Sequence, residues 1–87
     1  MLINIGFGSF VASERLVSVL SPDSAPIKRM VQDSRERGRL IDASYGRKTR
    51  SVLVTDGGCV ILSALTSEAL AERMGYTSEG ETEYEQD

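Results

Sequence analysis

The residues best suited to chemistry in this sequence are Tyr45-Gly46-Arg47-Lys48-Thr49-Arg50, which pack three cations into four positions. Arginine carries a planar fork that grips a phosphate or a guanine edge in two places, whereas lysine acts as a point charge. The stretch lies between two runs that alternate like strands, residues 40–44 and 51–55. That pattern predicts a β-hairpin with Arg47, Lys48 and Arg50 at its tip, where a phosphate backbone could meet them. Each phosphate contact steepens the salt dependence of duplex binding by about 0.9, so three contacts give a slope near −3. Such a tip binds weakly on a monomer, and repetition around an oligomer multiplies its effect.

The sequence offers little for catalysis. There is no histidine, and the single cysteine, Cys59, follows a Gly-Gly pair with no CxxC partner. No serine sits in a nucleophile elbow, and Asp42 and Asp56 flank strands, where aspartates are common. Gly6-Phe7-Gly8 suggests a phosphate loop, but Val11 stands where GxGxxG needs its last glycine. We therefore expect a binding protein, with no enzyme activity, metal, cofactor or small-molecule substrate.

The formal charge is −3, yet it is unevenly distributed. Residues 1–50 hold nine Lys and Arg against five Asp and Glu, a balance of +4, and residues 51–87 hold one against eight, a balance of −7. Screening acts over about 8 Å at physiological salt, so the basic half can still attract an anionic partner. One unpaired cysteine and an apolar start without a positive leading region predict a cytoplasmic protein without signal peptide or membrane span.

The elements that must hold the basic stretch are short. Residues 2–5, 10–12 and 16–20 read as strands. Gly6-Phe7-Gly8 forms a turn, and Ser13-Glu14-Arg15 joins the second strand to the third as a hairpin; a helix starting at Ser13 is the alternative. Arg15, beside Glu14, reads on its own as a solvated charge. A helix follows from Pro26 to about Arg37, with Ala25 as N-cap, Ser24 just outside and Gly38 past its end. Ile27, Met30, Val31 and Ser34 form its buried stripe, and Arg29, Asp33 and Arg37 a self-paired surface row. Residues 40–44, 51–55 and 59–64 predict a three-stranded meander, turned the second time by Asp56-Gly57-Gly58. Val52, Val54, Val60, Ile61 and Leu62 are the expected core, with Leu53 on the alternate face and Cys59 buried or half-buried. Thr66 caps a second helix that ends near Met74 and Gly75. The fold class is α+β: a small β-rich domain of hairpins and a meander, with one central and one C-terminal helix. It covers residues 1–76, and residues 77–87, with five acids and no base, predict a disordered acidic tail. A domain of this size buries only about 60% of its unfolded surface, so self-association is expected.

Three segments resemble the RemA family of bacterial extracellular matrix regulators: Leu2-Ile3-Asn4-Ile5-Gly6-Phe7-Gly8, Ser21-Pro22-Asp23-Ser24-Ala25-Pro26-Ile27-Lys28-Arg29, and Leu40-Ile41-Asp42-Ala43-Ser44-Tyr45-Gly46-Arg47-Lys48-Thr49-Arg50. The similarity covers residues 2 to about 74. It implies a transcriptional regulator of biofilm-matrix genes that binds double-stranded DNA. It further implies a fold similar to LytTR-type domains, assembled as a ring-shaped homo-oligomer around which DNA bends or wraps. The family's DNA-contacting arginines fall on Arg15, Arg47 and position 48, where Lys48 keeps the charge but not the fork. Pro26 matches the family's helix-opening proline. With Arg50 from the basic stretch, the expected DNA-binding set is Arg15, Arg47, Lys48 and Arg50. A structural or interaction ring that binds a protein or RNA through the same face is the alternative.

Overall fold

A computed structural model describes residues 1–75. The expected domain end at residue 76 and the acidic tail lie outside them. The described residues form six strands and two α-helices: β1 (Leu2–Gly6), β2 (Ser9–Ala12), β3 (Leu16–Leu20), α1 (Ala25–Glu36), β4 (Leu40–Asp42), β5 (Ser51–Thr55), β6 (Val60–Ser63) and α2 (Ser67–Arg73). The class is α+β, as expected. β1 and β2 make a two-stranded ribbon, and the others form a mixed four-stranded sheet in the order β3-β5-β6-β4. Among the described residues no helix is long and apolar enough to cross a membrane.

Both faces of the central strands are covered. Val52, Val60 and Leu62 point to one face, where Ile27, Met30 and Val31 of α1 pack on them. Leu53 and Ile61 point to the other, where they meet Ile5 of the ribbon and Leu70 of α2. Strand side chains alternate between faces, so one continuous apolar run in β5 or β6 feeds two core layers. Leu53 is therefore as central as Val52, both being wholly buried, and each such side chain contributes about 1.5–3 kcal/mol through burial. Val54, expected in the core, is only half-buried, as is Cys59.

The expected meander does not form. β4 pairs in parallel with β6 (Leu40↔Val60, Asp42↔Leu62), and β6 lies between β4 and β5. The physical reason lies in composition. Val60-Ile61-Leu62 is apolar on both faces and suits a central place, whereas β4 carries Asp42 and a half-exposed Ile41 and suits an edge. Residues 43–50 are thus a crossover passing β6, not a hairpin tip. The β5–β6 hairpin does turn at residues 56–58.

β2 and β3 are not a hairpin either. β2 pairs with β1, and β3 pairs with β5. Ser13–Arg15 forms a single 3₁₀ turn that carries the chain from the ribbon to the edge of the main sheet. At α1 the cap is Ser24, whose Oγ accepts the Ile27 N–H at 3.4 Å, with Ala25 inside the helix. Alanine has no side-chain acceptor for a free N–H, so the cap falls on the serine. Thr66 caps α2 by accepting the Ala69 N–H at 3.1 Å. The expected row of ion pairs on α1 is not closed: among the described residues the ion pairs are Met1–Glu14 and Arg15–Asp56.

Candidate nucleic-acid interface

The 43–50 crossover is pinned at both ends by backbone bonds to β6. The Ala43 N–H donates to the Leu62 carbonyl at 2.9 Å, and the Arg50 N–H to the Ser63 carbonyl at 2.8 Å. Between these points the loop is shaped by Asp42. Its carboxylate accepts the Ser44 N–H at 2.9 Å and the Ser44 hydroxyl at 2.5 Å. Those two bonds, helped by the more distant charge of Arg35, hold the Asp42 pKa below its ordinary value. The Arg47 N–H then closes a turn on the Ser44 carbonyl at 3.0 Å. Tyr45 (φ 54°) and Gly46 (φ 81°) occupy its two central positions, the pattern of a type I′ turn. Glycine fits there without penalty, but tyrosine pays about 1–2 kcal/mol for a left-handed backbone.

A second strained aromatic sits beside the first. Phe7, at the β1–β2 turn, has φ 55°, and its ring meets that of Tyr45 edge to face at 5.6 Å and 64°. The Arg47 guanidinium lies 5.5 Å from the Phe7 ring centroid, and Ser9 Oγ is 3.3 Å from the Tyr45 hydroxyl. A cation over an aromatic face is attracted to the ring quadrupole, so Phe7 holds Arg47 in place. Strained residues persist where the surroundings over-determine them, and they cluster at binding sites. Among the described residues, Phe7 and Tyr45 are the two non-glycine residues with positive φ.

Arg47, Lys48 and Arg50 are all exposed, and none pairs with a carboxylate among the described residues. They border a shallow groove of about 320 Å³ with Phe7, Ala64 and Leu65. Lys48 and Arg50 also border a second groove of about 250 Å³, which Asp23 and Glu68 make less positive. The three loop cations are thus brought together, as the sequence predicts, although on a crossover.

Arg15 does not join them. Its carbonyl accepts the Asp56 N–H at 2.8 Å, and its guanidinium meets the Asp56 carboxylate at 3.4 Å. It stands beside Asp56, at the end of β5 opposite Arg50, and the six residue steps from Arg50 to Asp56 separate the two by roughly 20 Å. Glu14, its sequence neighbour, bonds instead to the Met1 amino group. Sequence reasoning missed Phe7 as a site residue. The available signal was a large aromatic between two glycines, too exposed in a turn to serve the core.

Residues 2–74 match the RemA-like family model, described as extracellular matrix regulatory protein A-like. A Synechococcus protein (strain JA-2-3B'a(2-13)) is 62% identical over 72 residues, covering 83% of this chain and 81% of its own length. One from Caldicellulosiruptor saccharolyticus is 56% identical over 86 residues, covering 99% and 82%. One from Bacillus pumilus is 55% identical over 78 residues, covering 90% and 88%. The names of all three assign them a candidate regulatory role.

Proposed function

This chain belongs to the RemA-like family, and from that premise we propose that it regulates transcription by binding duplex DNA through the 43–50 crossover. The observation that carries the reading is the loop itself: three cations, unpaired among the described residues, on a turn fixed by Asp42 and by the Phe7–Tyr45 contact. A preorganised cationic loop has little freedom left to lose on binding phosphate, which favours affinity. Arg47 and Arg50 supply forks and Lys48 a point charge. Arg15 enters as a separate contact, since it stands at the far end of β5. The chain acts without catalysis, in the cytoplasm, and its target genes are those of the extracellular matrix.

The functional unit is a ring of identical chains. Support comes from apolar side chains left exposed among the described residues of one protomer. Leu2 (67% exposed) and Phe10 (58%) share the outer face of the ribbon, and Val17 and Ile41 lie exposed on the two edge strands of the sheet. Two different edges of one sheet suit a head-to-tail contact, which closes into a ring when its rotation allows. The ring repeats the weak loop around its rim, and duplex DNA bends along it.

The test is an Arg47→Ala/Lys48→Ala variant whose mass by light scattering equals that of the parent. It should lose binding to a promoter duplex at moderate salt; unchanged binding overturns the site. The exposed Phe7 and Tyr45 rings favour one second reading, stacking of single-stranded RNA bases beside the same cations. Competition between duplex DNA and single-stranded RNA at one salt concentration separates the two.

A further inference from the structure

A second concentration of positive charge lies away from the crossover. Along one side of α1, residues Arg29 and Arg37 border a groove of about 330 Å³ with Met30, and Arg39 closes it against Gly58 in the β5–β6 turn. Three guanidiniums face one carboxylate, Asp33, and none of the three is ion-paired among the described residues. Arg39 is held from one side. Its Nη1 donates to the Gly57 carbonyl at 3.4 Å, and its own carbonyl accepts the Val60 N–H at 3.0 Å. Gly58 leaves room for it, because a Cβ there would stand 3.4 Å from Nη1 on a backbone with φ 87°. Among the described residues, the remaining N–H groups of Arg39 make no bond and are open to a ligand.

Like charges gathered in a concave surface repel one another and raise the local potential, and an anion relieves both effects. The forked donors match the geometry of a phosphate better than that of a halide or a single point charge. The groove lies at the hairpin end of the sheet, where Arg15 flanks the same turn through Asp56. The 43–50 crossover lies at the other end of β5, roughly 20 Å away, which matches about six base-pair rises of 3.4 Å.

We infer that the Arg29–Arg37–Arg39 groove is a second phosphate-binding site, which takes a backbone phosphodiester of the same duplex held by the crossover. This inference rests on the DNA-binding reading and deepens it. A duplex running alongside the β5 direction meets arginines at both ends of the protomer. Arg15, ion-paired to Asp56 at the same end of the sheet, is a further contact outside the groove.

The experiment is fluorescence anisotropy with a labelled promoter duplex, read as the slope of log affinity against log salt for the full-length chain. An Arg37→Gln/Arg39→Gln variant should reduce the magnitude of the slope by about 1–2, at about 0.9 per lost contact, with oligomeric mass and melting temperature unchanged. An Arg47→Ala/Lys48→Ala variant should reduce it independently, and the two losses should add. A Lys28→Gln variant controls for net charge, since Lys28 does not line the Arg29–Arg37–Arg39 groove; it should keep the parent slope. If the Arg37/Arg39 variant keeps the parent slope while the Arg47/Lys48 variant loses its share, the groove is overturned and the loop stands. An equal loss per removed charge in the Lys28 control also overturns the groove, because general charge then explains the effect. Absence of duplex binding by the parent chain overturns both readings.

Discussion

The Phe7 and Tyr45 rings touch at 5.6 Å while both residues hold a left-handed backbone. The two turns that carry them, β1–β2 and 43–50, are 38 residues apart in sequence. Their contact is what carries Arg47, 5.5 Å from the Phe7 ring. Strain in the backbone is thereby coupled to the position of a cation.

Replacing Phe7 by glycine should separate stability from binding. The substitution removes a left-handed penalty of about 1–2 kcal/mol and adds a chain-entropy cost of about 0.5–1 kcal/mol. Little burial is lost, because Phe7 is 52% exposed. The melting free energy should stay within about 1 kcal/mol of the parent. Loss of the cation–π contact should weaken duplex binding about 2–5-fold, from a contact worth about 0.5–1 kcal/mol at an exposed site. Denaturant unfolding and a binding titration on the same preparation check both halves. An unchanged affinity would mean that Arg47 does not need Phe7.

Asp42 makes the loop sensitive to acid. Its pKa is lowered in the folded chain by the Ser44 hydroxyl and N–H. The stabilisation is therefore present above the unfolded carboxylate value, near 3.9, and is lost as pH falls through the lower folded value. Asp42→Asn should be less stable than the parent at neutral pH, and the gap should close as the pH drops below about 4. Urea unfolding of both proteins across that range reads the difference directly. A gap that stays constant with pH would show that the carboxylate charge has no part in holding Ser44.

The strands, both helices and the cationic stretch were legible because each rests on local pattern. Val52 to Val54 and Val60 to Leu62 are apolar, Thr66 stands where a cap can form, and Gly38 and Gly58 take the positive φ they were suited to, whereas the α1 cap was placed one residue late, on Ala25. Strand partners were not legible, since pairing is decided by competition among strands. β6 displaces β4 from β5 because it is apolar on both faces, and nothing within residues 40–50 records that. For the same reason Arg15 could not be placed: its distance from Arg47 depends on which strand β3 joins. Phe7 was hidden because a contact 38 positions away leaves no periodic trace.

Ser51 and Ser63 face each other across β5 and β6, both wholly buried, yet they should respond oppositely to alanine. Ser63 Oγ donates to the Ile5 carbonyl at 2.8 Å and accepts the Leu65 N–H at 3.1 Å, tying the ribbon to the sheet. Ser63→Ala strands both groups in the interior and should cost about 1–3 kcal/mol. Ser51 Oγ has no hydrogen-bond partner among the described residues. Its hydroxyl has given up solvation without a bond in return, so Ser51→Ala should cost nothing and could stabilise by about 1 kcal/mol. Equilibrium unfolding of the two single variants decides the matter. Because Ile5 leads into the Gly6–Phe7 turn, Ser63→Ala should also loosen Arg47 and weaken duplex binding, whereas Ser51→Ala should leave binding unchanged.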